Sequence, residues 1–218
     1  MATLSDENDP TTGGSDVGAL PVVEPEAPPS QGVTWPVPPP EGYSAEDLDR
    51  IPDLPPHTEL IDGSLVFVSP QKLFHMLVLR LFERRLDAVV PGHLRVRREM
   101  TVALGRRQRP EPDIMAIRSD AETGPDQTSY PPDAVVLAVE VVSPDSEERD
   151  RKRKPQLYAE AGIAHFWRIE EEAKKPVVYV YERDPATKVY VPTGIHRDRL
   201  KLGVPFDIDI DLTEIDRM

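Results

Sequence analysis

No cysteine occurs among the 218 residues, which excludes disulfides and removes thiolate from any metal site. No apolar run approaches the roughly 20 residues that a membrane-spanning helix needs. The N-terminus lacks the basic segment and apolar stretch of a secretory leader. A soluble, cytoplasmic protein with no membrane partner is the expectation. Basic charge is scarce: 26 Lys and Arg stand against 39 Asp and Glu, a formal net charge of −13. The deficit is unevenly placed, because residues 1–50 contain ten acids and one base, Arg50. The remainder is mildly acidic with local basic clusters. Whole-chain charge therefore speaks to solubility and does not exclude a nucleic-acid partner.

Large apolar side chains are few in residues 1–42, which are rich in Pro, Gly, Ser, Asp and Glu. Pro28-Pro29 and Pro38-Pro39-Pro40 favour extended polyproline II. Such a segment cannot bury enough surface to offset its ordering entropy. The expectation is a disordered, acidic, Pro-rich tail over residues 1–42, with Trp35 its one large aromatic side chain. A single domain then spans residues 43–218.

Within that domain, Ser44 to Arg50 reads as a short helix with a Ser44/Asp47 capping pair. Residues 58–68 read as a hairpin turning at Asp62-Gly63. Ser69-Pro70 resembles a helix start. Phe74, Leu77, Val78, Leu81 and Leu86 then recur at helical spacing until about Val89. Strands are expected at Leu94–Val102, Asp113–Arg118, Val135–Val142, His165–Ile169, Val177–Tyr181 and Val189–Val191. The alternating Phe206–Asp211 segment reads as a strand with one wet face. A second helix is expected between about Glu147 and Ala161, with Gly162 terminating it. Pro155 should kink that helix or force its start further along. The order predicts an α+β domain: a central mixed β-sheet flanked by helices, with a β-rich C-terminal part.

The chemistry starts from one acid in an apolar strand. Ala134–Val142 is apolar except for Glu140, and a buried carboxylate requires a cation, a proton or a metal beside it. Asp113 follows Pro112 at the start of the apolar segment Ile114–Ile117, where Pro marks a strand end or a bulge. Two carboxylates converging from neighbouring strands suit Mg²⁺ or Mn²⁺, which prefer oxygen ligands. Asp150, Lys154 and Tyr158 are spaced i, i+4, i+8 and share one helix face. Lys154 on that face would reach Glu140 and could orient a water or stabilise charge on a phosphate. The plainer alternatives are a turn residue for Asp113, a structural ion pair for Glu140 and a surface pair for Asp150–Lys154.

Taken together, these stretches resemble the Uma-type restriction-endonuclease family, a branch of the PD-(D/E)XK nuclease superfamily. The resemblance spans residues 43–212. It rests on Glu59–Gly63, Val68-Ser69-Pro70 with His75, Glu111–Ile114, Glu140–Pro144, and Asp150, Lys154 and Tyr158. Ala161–Ile163 and Phe166-Trp167 complete it. The resemblance implies a restriction-endonuclease-like fold and a divalent-metal site with Asp113 and Glu140 as the principal ligands. It implies Glu59 as an accessory ligand or water-positioning acid. The superfamily's usual lysine position, two residues after the strand acid, is Val142 here. Lys154 on the following helix takes that role, with Lys152 as the alternative. His75 and Asp150 are accessory candidates, and a hydrogen-bonded core histidine is an equal reading of His75.

Arg95, Arg97 and Arg98, then Arg106, Arg107 and Arg109 across a turn at Gly105, form one candidate DNA-binding group. Arg151 belongs to a second, with Arg149, Lys152 and Arg153. A solvated charged hairpin is the plainer reading of the first group. The expectation is a Mg²⁺-dependent (or Mn²⁺-dependent) DNA endonuclease acting on duplex, with a homodimer if both strands are cut. The alternative is a non-catalytic DNA- or protein-binding protein that retains the fold.

Overall fold

The computed structural model describes residues 37–218. The expected tail therefore lies outside the described residues up to residue 36, Trp35 included. Among the described residues, no helix is long and apolar enough to cross a membrane.

A capped 3₁₀ turn, Ala45–Asp49, opens the domain. Ser44 and Asp47 form the reciprocal capping pair that the sequence announces. The hairpin follows as β1 (Glu59–Ile61) and β2 (Ser64–Val66). Its turn residues Asp62 and Gly63 have φ of 54° and 80°, the left-handed pair that suits a two-residue hairpin turn. Helix α1 runs Leu73–Asp87 and begins later than Ser69-Pro70 suggests. Residues 67–72 carry no helix, and Val68 to Lys72 line a cleft instead. The residue before a proline is steered away from the helical region, which agrees with the absence of helix at Ser69.

Six strands make the central sheet: β3 (Leu94–Arg98), β5 (Ile114–Arg118), β7 (Val135–Val141), β8 (His165–Glu172), β9 (Lys175–Arg183) and β10 (Tyr190–His196). Their spatial order is β10-β9-β8-β7-β5-β3. The β7–β8 pair is parallel and the other pairs are antiparallel, so the sheet is mixed as expected. The short strands β4 (Thr101–Val102) and β6 (Ser129–Tyr130) pair with each other. The strand expected over Leu94–Val102 is thus divided, with Glu99 at φ 54° between its parts.

Helix α2 (Lys154–Glu160) lies in the crossover from β7 to β8. It is preceded by a π-helical turn, Arg149–Arg153. This accommodates Pro155. Inside one continuous α-helix its ring would clash with the carbonyl four residues back, but in the first turn of α2 no N–H is required. The chain ends with the hairpin β11 (Arg199–Leu202) and β12 (Ile208–Asp211), then a 3₁₀ turn, Leu212–Arg217.

Strand alternation divides the core. Leu137, Val139 and Val141 of β7 join Trp167, Ile169, Val178 and Val180 against Val78, Leu81, Phe82 and Leu86 of α1. Ala138 belongs to the opposite face, with Tyr158, Ile163 and Phe166. Glu140 is on that second face, turned toward α2.

Candidate active site

Glu140 is 1% exposed and touches two side chains of α2. Lys154 Nζ donates to Glu140 Oε2 at 3.0 Å, and Tyr158 Oη donates to Oε1 at 2.5 Å. The same ammonium is 2.8 Å from Glu59 Oε1 and 3.3 Å from Asp150 Oδ1. Lys154 therefore stands at the meeting point of three buried carboxylates. The π-turn makes this possible, since it places Asp150 and Lys154 on the inner face although they belong to different helical segments.

The register sets Asp113 beside this cluster. Ile114 pairs with Val139, so Asp113 falls across from Glu140. Its carboxylate is fixed at both oxygens: Oδ2 accepts from Val141 N at 2.6 Å and Oδ1 is 3.0 Å from His75 Nε2. Of the two readings of Pro112, the strand end holds, since β5 starts at Ile114, and the register shift of this strand lies between Ala116 and Ile117. Glu59 is aimed inward from β1. Its Oε1 accepts from Glu111 N at 2.8 Å, and β1 is tied to the 105–111 segment by the Leu60–Arg109 bridge.

Protonation follows from burial and crowding. Desolvation pushes the Glu140 carboxyl well above its ordinary pKa; Lys154 opposes the shift, and Asp150, Asp113 and Glu59 add to it. Desolvation also raises Asp150. For Lys154, burial alone would favour the neutral amine, but Glu140, Glu59 and Asp150 together hold the pKa well above the usual lysine value. His75 is subject to the same opposition. Burial is the largest single influence and lowers its pKa, but the Asp113 hydrogen bond together with the charges of Asp113, Glu99 and Asp150 leaves it raised.

Glu59, His75, Asp113, Glu140, Asp150 and Lys154 all line one cleft of about 470 Å³. Four of them are carboxylates, against one lysine and one histidine. That anionic excess is what a divalent cation would neutralise, and carboxylate oxygens are the hard donors that Mg²⁺ and Mn²⁺ take. The donor chemistry therefore fits such an ion at Asp113 and Glu140. Among the described residues, no three His, Asp or Glu groups are already gathered around a single metal position. The ammonium of Lys154 supplies the positive charge there.

Other residues named from the sequence lie elsewhere. Lys152 pairs with Glu148 at 2.9 Å and is 68% exposed, away from the cluster. Arg109 is a correction to the basic surface: it is buried, donating to Asp49, Thr101 Oγ1 and the Ala45 carbonyl. It locks the first turn to the sheet and cannot reach DNA from there. Arg97 pairs with Glu122, and Arg98 with Glu83 and Glu99. Arg107 donates to the Asp62 carbonyl. Arg95 donates to the carbonyls of Gly92 and Leu94. The charge of Arg106 acts on Asp47, and its carbonyl accepts from Ala45 N. Arg151 reaches the cleft edge but is held by Glu147 and Glu170.

The structure adds residues that sequence reasoning missed. His57 and Glu111 form a hydrogen-bonded pair in the cleft, with Nδ1 2.6 Å from Oε1. Glu99 lines it too. His57 and Glu99 both have positive φ, 60° and 54°, and strained backbone of this kind gathers at functional sites. The Glu111-Pro112-Asp113 run was the available signal for Glu111; nothing local marks His57. Tyr158, on the helix face that it shares by spacing with Asp150 and Lys154, also donates to Glu140.

Residues 45–213 match the family described as "Uma2: Putative restriction endonuclease". Among solved structures, the chain is similar to one described as a putative nuclease belonging to DUF820 from Anabaena variabilis ATCC 29413. The TM-score is 0.60 at 15% identity, over 79% of this chain and 96% of that one. A second similarity is to NucC of P. aeruginosa ATCC27853 in its cAAA-bound form, with TM-score 0.30 and 10% identity over 57% of this chain and 85% of that one. No curated protein matches. The fold is thus the restriction-endonuclease-like one expected from the sequence.

Proposed function

The chain belongs to the Uma2 family, and on that premise we propose that it is a divalent-metal-dependent DNA endonuclease. The observation that carries this reading is the paired placement of Asp113 and Glu140 on adjacent strands, with Lys154 buried beside them. An ion held by Asp113 and Glu140 would supply Lewis acidity to the phosphate and lower the pKa of a water.

The remaining roles fall to the protein's own groups. His75 Nε2 and Val141 N fix the orientation of Asp113. Tyr158 and Lys154 fix that of Glu140. Lys154 stays protonated among Glu59, Glu140 and Asp150, and its charge, set beside the reacting phosphate, would stabilise negative charge that develops there. Glu59 holds Lys154 from the other side and is placed to accept a proton or position the water. His57, anchored at Nδ1 by Glu111, offers its other ring nitrogen to the cleft as a proton carrier.

The second reading, a binding protein on the same fold, is favoured by the ion pairing of Lys154 with Glu140, which is self-consistent without a metal. Labelled duplex DNA, single-stranded DNA and RNA, incubated with and without Mg²⁺ or Mn²⁺, separate the two. Metal-dependent breakage of duplex supports the nuclease. Tight duplex binding without breakage in any metal supports the binding protein, and breakage of RNA alone reassigns the substrate.

A further inference from the structure

The cleft poses an electrostatic problem for any phosphodiester substrate. Its walls carry many more carboxylates than cations, and a nucleic-acid backbone approaching them is repelled unless some positive charge remains uncommitted. Four Lys or Arg residues line it: Lys72, Arg149, Arg151 and Lys154. Lys154 is enclosed by Glu59, Glu140 and Asp150, and Arg151 is clamped by Glu147 and Glu170. Both are spent on intramolecular pairs.

Arg149 and Lys72 are not. No carboxylate pairs with either side chain among the described residues, whereas most other arginines of the domain are paired. Arg149 is the more telling of the two. It is half-buried on the π-turn that carries the catalytic candidates, and its Nε is buried without a hydrogen-bond partner. A guanidinium N–H withdrawn from water and left unbonded is destabilising in the free protein. The rest of the half-buried side chain lines the cleft without a carboxylate partner, and the planar fork of Arg matches two oxygens of a phosphate. Lys72 comes to the same cleft from a different segment, the residue before α1, where no acid in the first helical turn offsets its charge.

We propose that Arg149 and Lys72 form a phosphate-binding subsite that grips the substrate backbone beside the cleaved bond. Arg149 provides the oriented fork and Lys72 a point charge. This rests on the nuclease reading above and names the residues by which the acidic cleft accepts an anionic substrate. They act as positioning residues for DNA, separate from the groups at the reacting phosphate.

The test is duplex binding by the full chain. A fluorescein-labelled duplex is titrated by anisotropy in Ca²⁺ over a range of salt concentrations, and its cleavage is followed in Mg²⁺. The proteins are the wild type, Arg149→Ala, Arg149→Lys and the double variant Arg149→Ala/Lys72→Ala. Lys201→Ala on β11 serves as the charge-loss control. Each single charge removed from the subsite should weaken binding about tenfold or more and reduce the salt slope by about 1. The loss in cleavage should fall mainly on KM. Arg149→Lys should keep most of the salt slope while losing affinity, because charge is retained and the fork is not. Melting temperatures no lower than wild type would confirm intact folds. A double variant with wild-type affinity, slope and KM, in a protein whose wild type does cleave, would overturn the subsite and leave the nuclease intact. A wild type that neither binds nor cleaves duplex would overturn both.

Discussion

Replacing Lys154 with Met keeps the length of the side chain and deletes its charge. The ammonium is within 2.8, 3.0 and 3.3 Å of Glu59, Glu140 and Asp150, and all four side chains are at most 5% exposed. Breaking a buried ion pair by removing one partner costs about 3–5 kcal/mol, and here three acids lose the same counter-charge. For a domain of this size, one kcal/mol moves the melting temperature by about 2–4 °C, so the loss should amount to roughly 6–20 °C. The sign of its pH dependence follows from the raised carboxyls. Glu140 and Asp150 hold protons more firmly in the native state than in the unfolded chain. Stability therefore falls as pH rises from the ordinary carboxylate range through the raised values. Without Lys154 that interval widens, so the gap between variant and wild type should be largest at alkaline pH and close on acidification. Mn²⁺ should narrow it at neutral pH by restoring positive charge. The assay is thermal unfolding followed by fluorescence of Trp167, which is fully buried edge-to-face against Phe82. A melting temperature within about 2 °C of wild type at every pH would refute the reasoning.

Three further outcomes are expected. His75→Ala should weaken Mn²⁺ binding about 10–100-fold by calorimetry, since an orienting partner of a proposed ligand is lost, while wild-type affinity would show that Val141 N alone orients Asp113. Arg109→Ala should lower stability by about 2 kcal/mol, discounted because Asp49 is partly exposed, without changing metal affinity. Chemical denaturation checks the first half and calorimetry the second. His57→Ala should reduce turnover and alter its pH profile while leaving duplex affinity near wild type; an unchanged profile would remove the imidazole from proton transfer.

How far the sequence could be read depended on whether a feature was local. β7 was legible because the apolar run Ala134–Val142, broken only by Glu140, has few other uses, and Asp62-Gly63 admits little but a tight hairpin. Asp150, Lys154 and Tyr158 share a face at helical spacing, and all three are buried around Glu140. Pro155 announced an interruption, but its form, a π-turn that keeps Asp150 aimed inward, depends on packing against β7. The start of α1 was misplaced because Ser-Pro has the chemistry of a helix start, yet Val68 to Lys72 carry no helix and line the cleft. Arg109 looked like one of a basic group, and only the approach of the Ala45–Asp49 turn buries it. His57 was invisible for the same reason: its partner Glu111 is 54 residues away in sequence.

The most direct test of the central claim is cleavage of supercoiled plasmid by the purified protein in Mg²⁺ or Mn²⁺, beside Asp113→Ala and Glu140→Ala variants that retain the fold. Nicking or linearisation that requires the metal and disappears in both variants is the predicted result. Equal cleavage by the variants, or none by the wild type in either metal, would contradict the account.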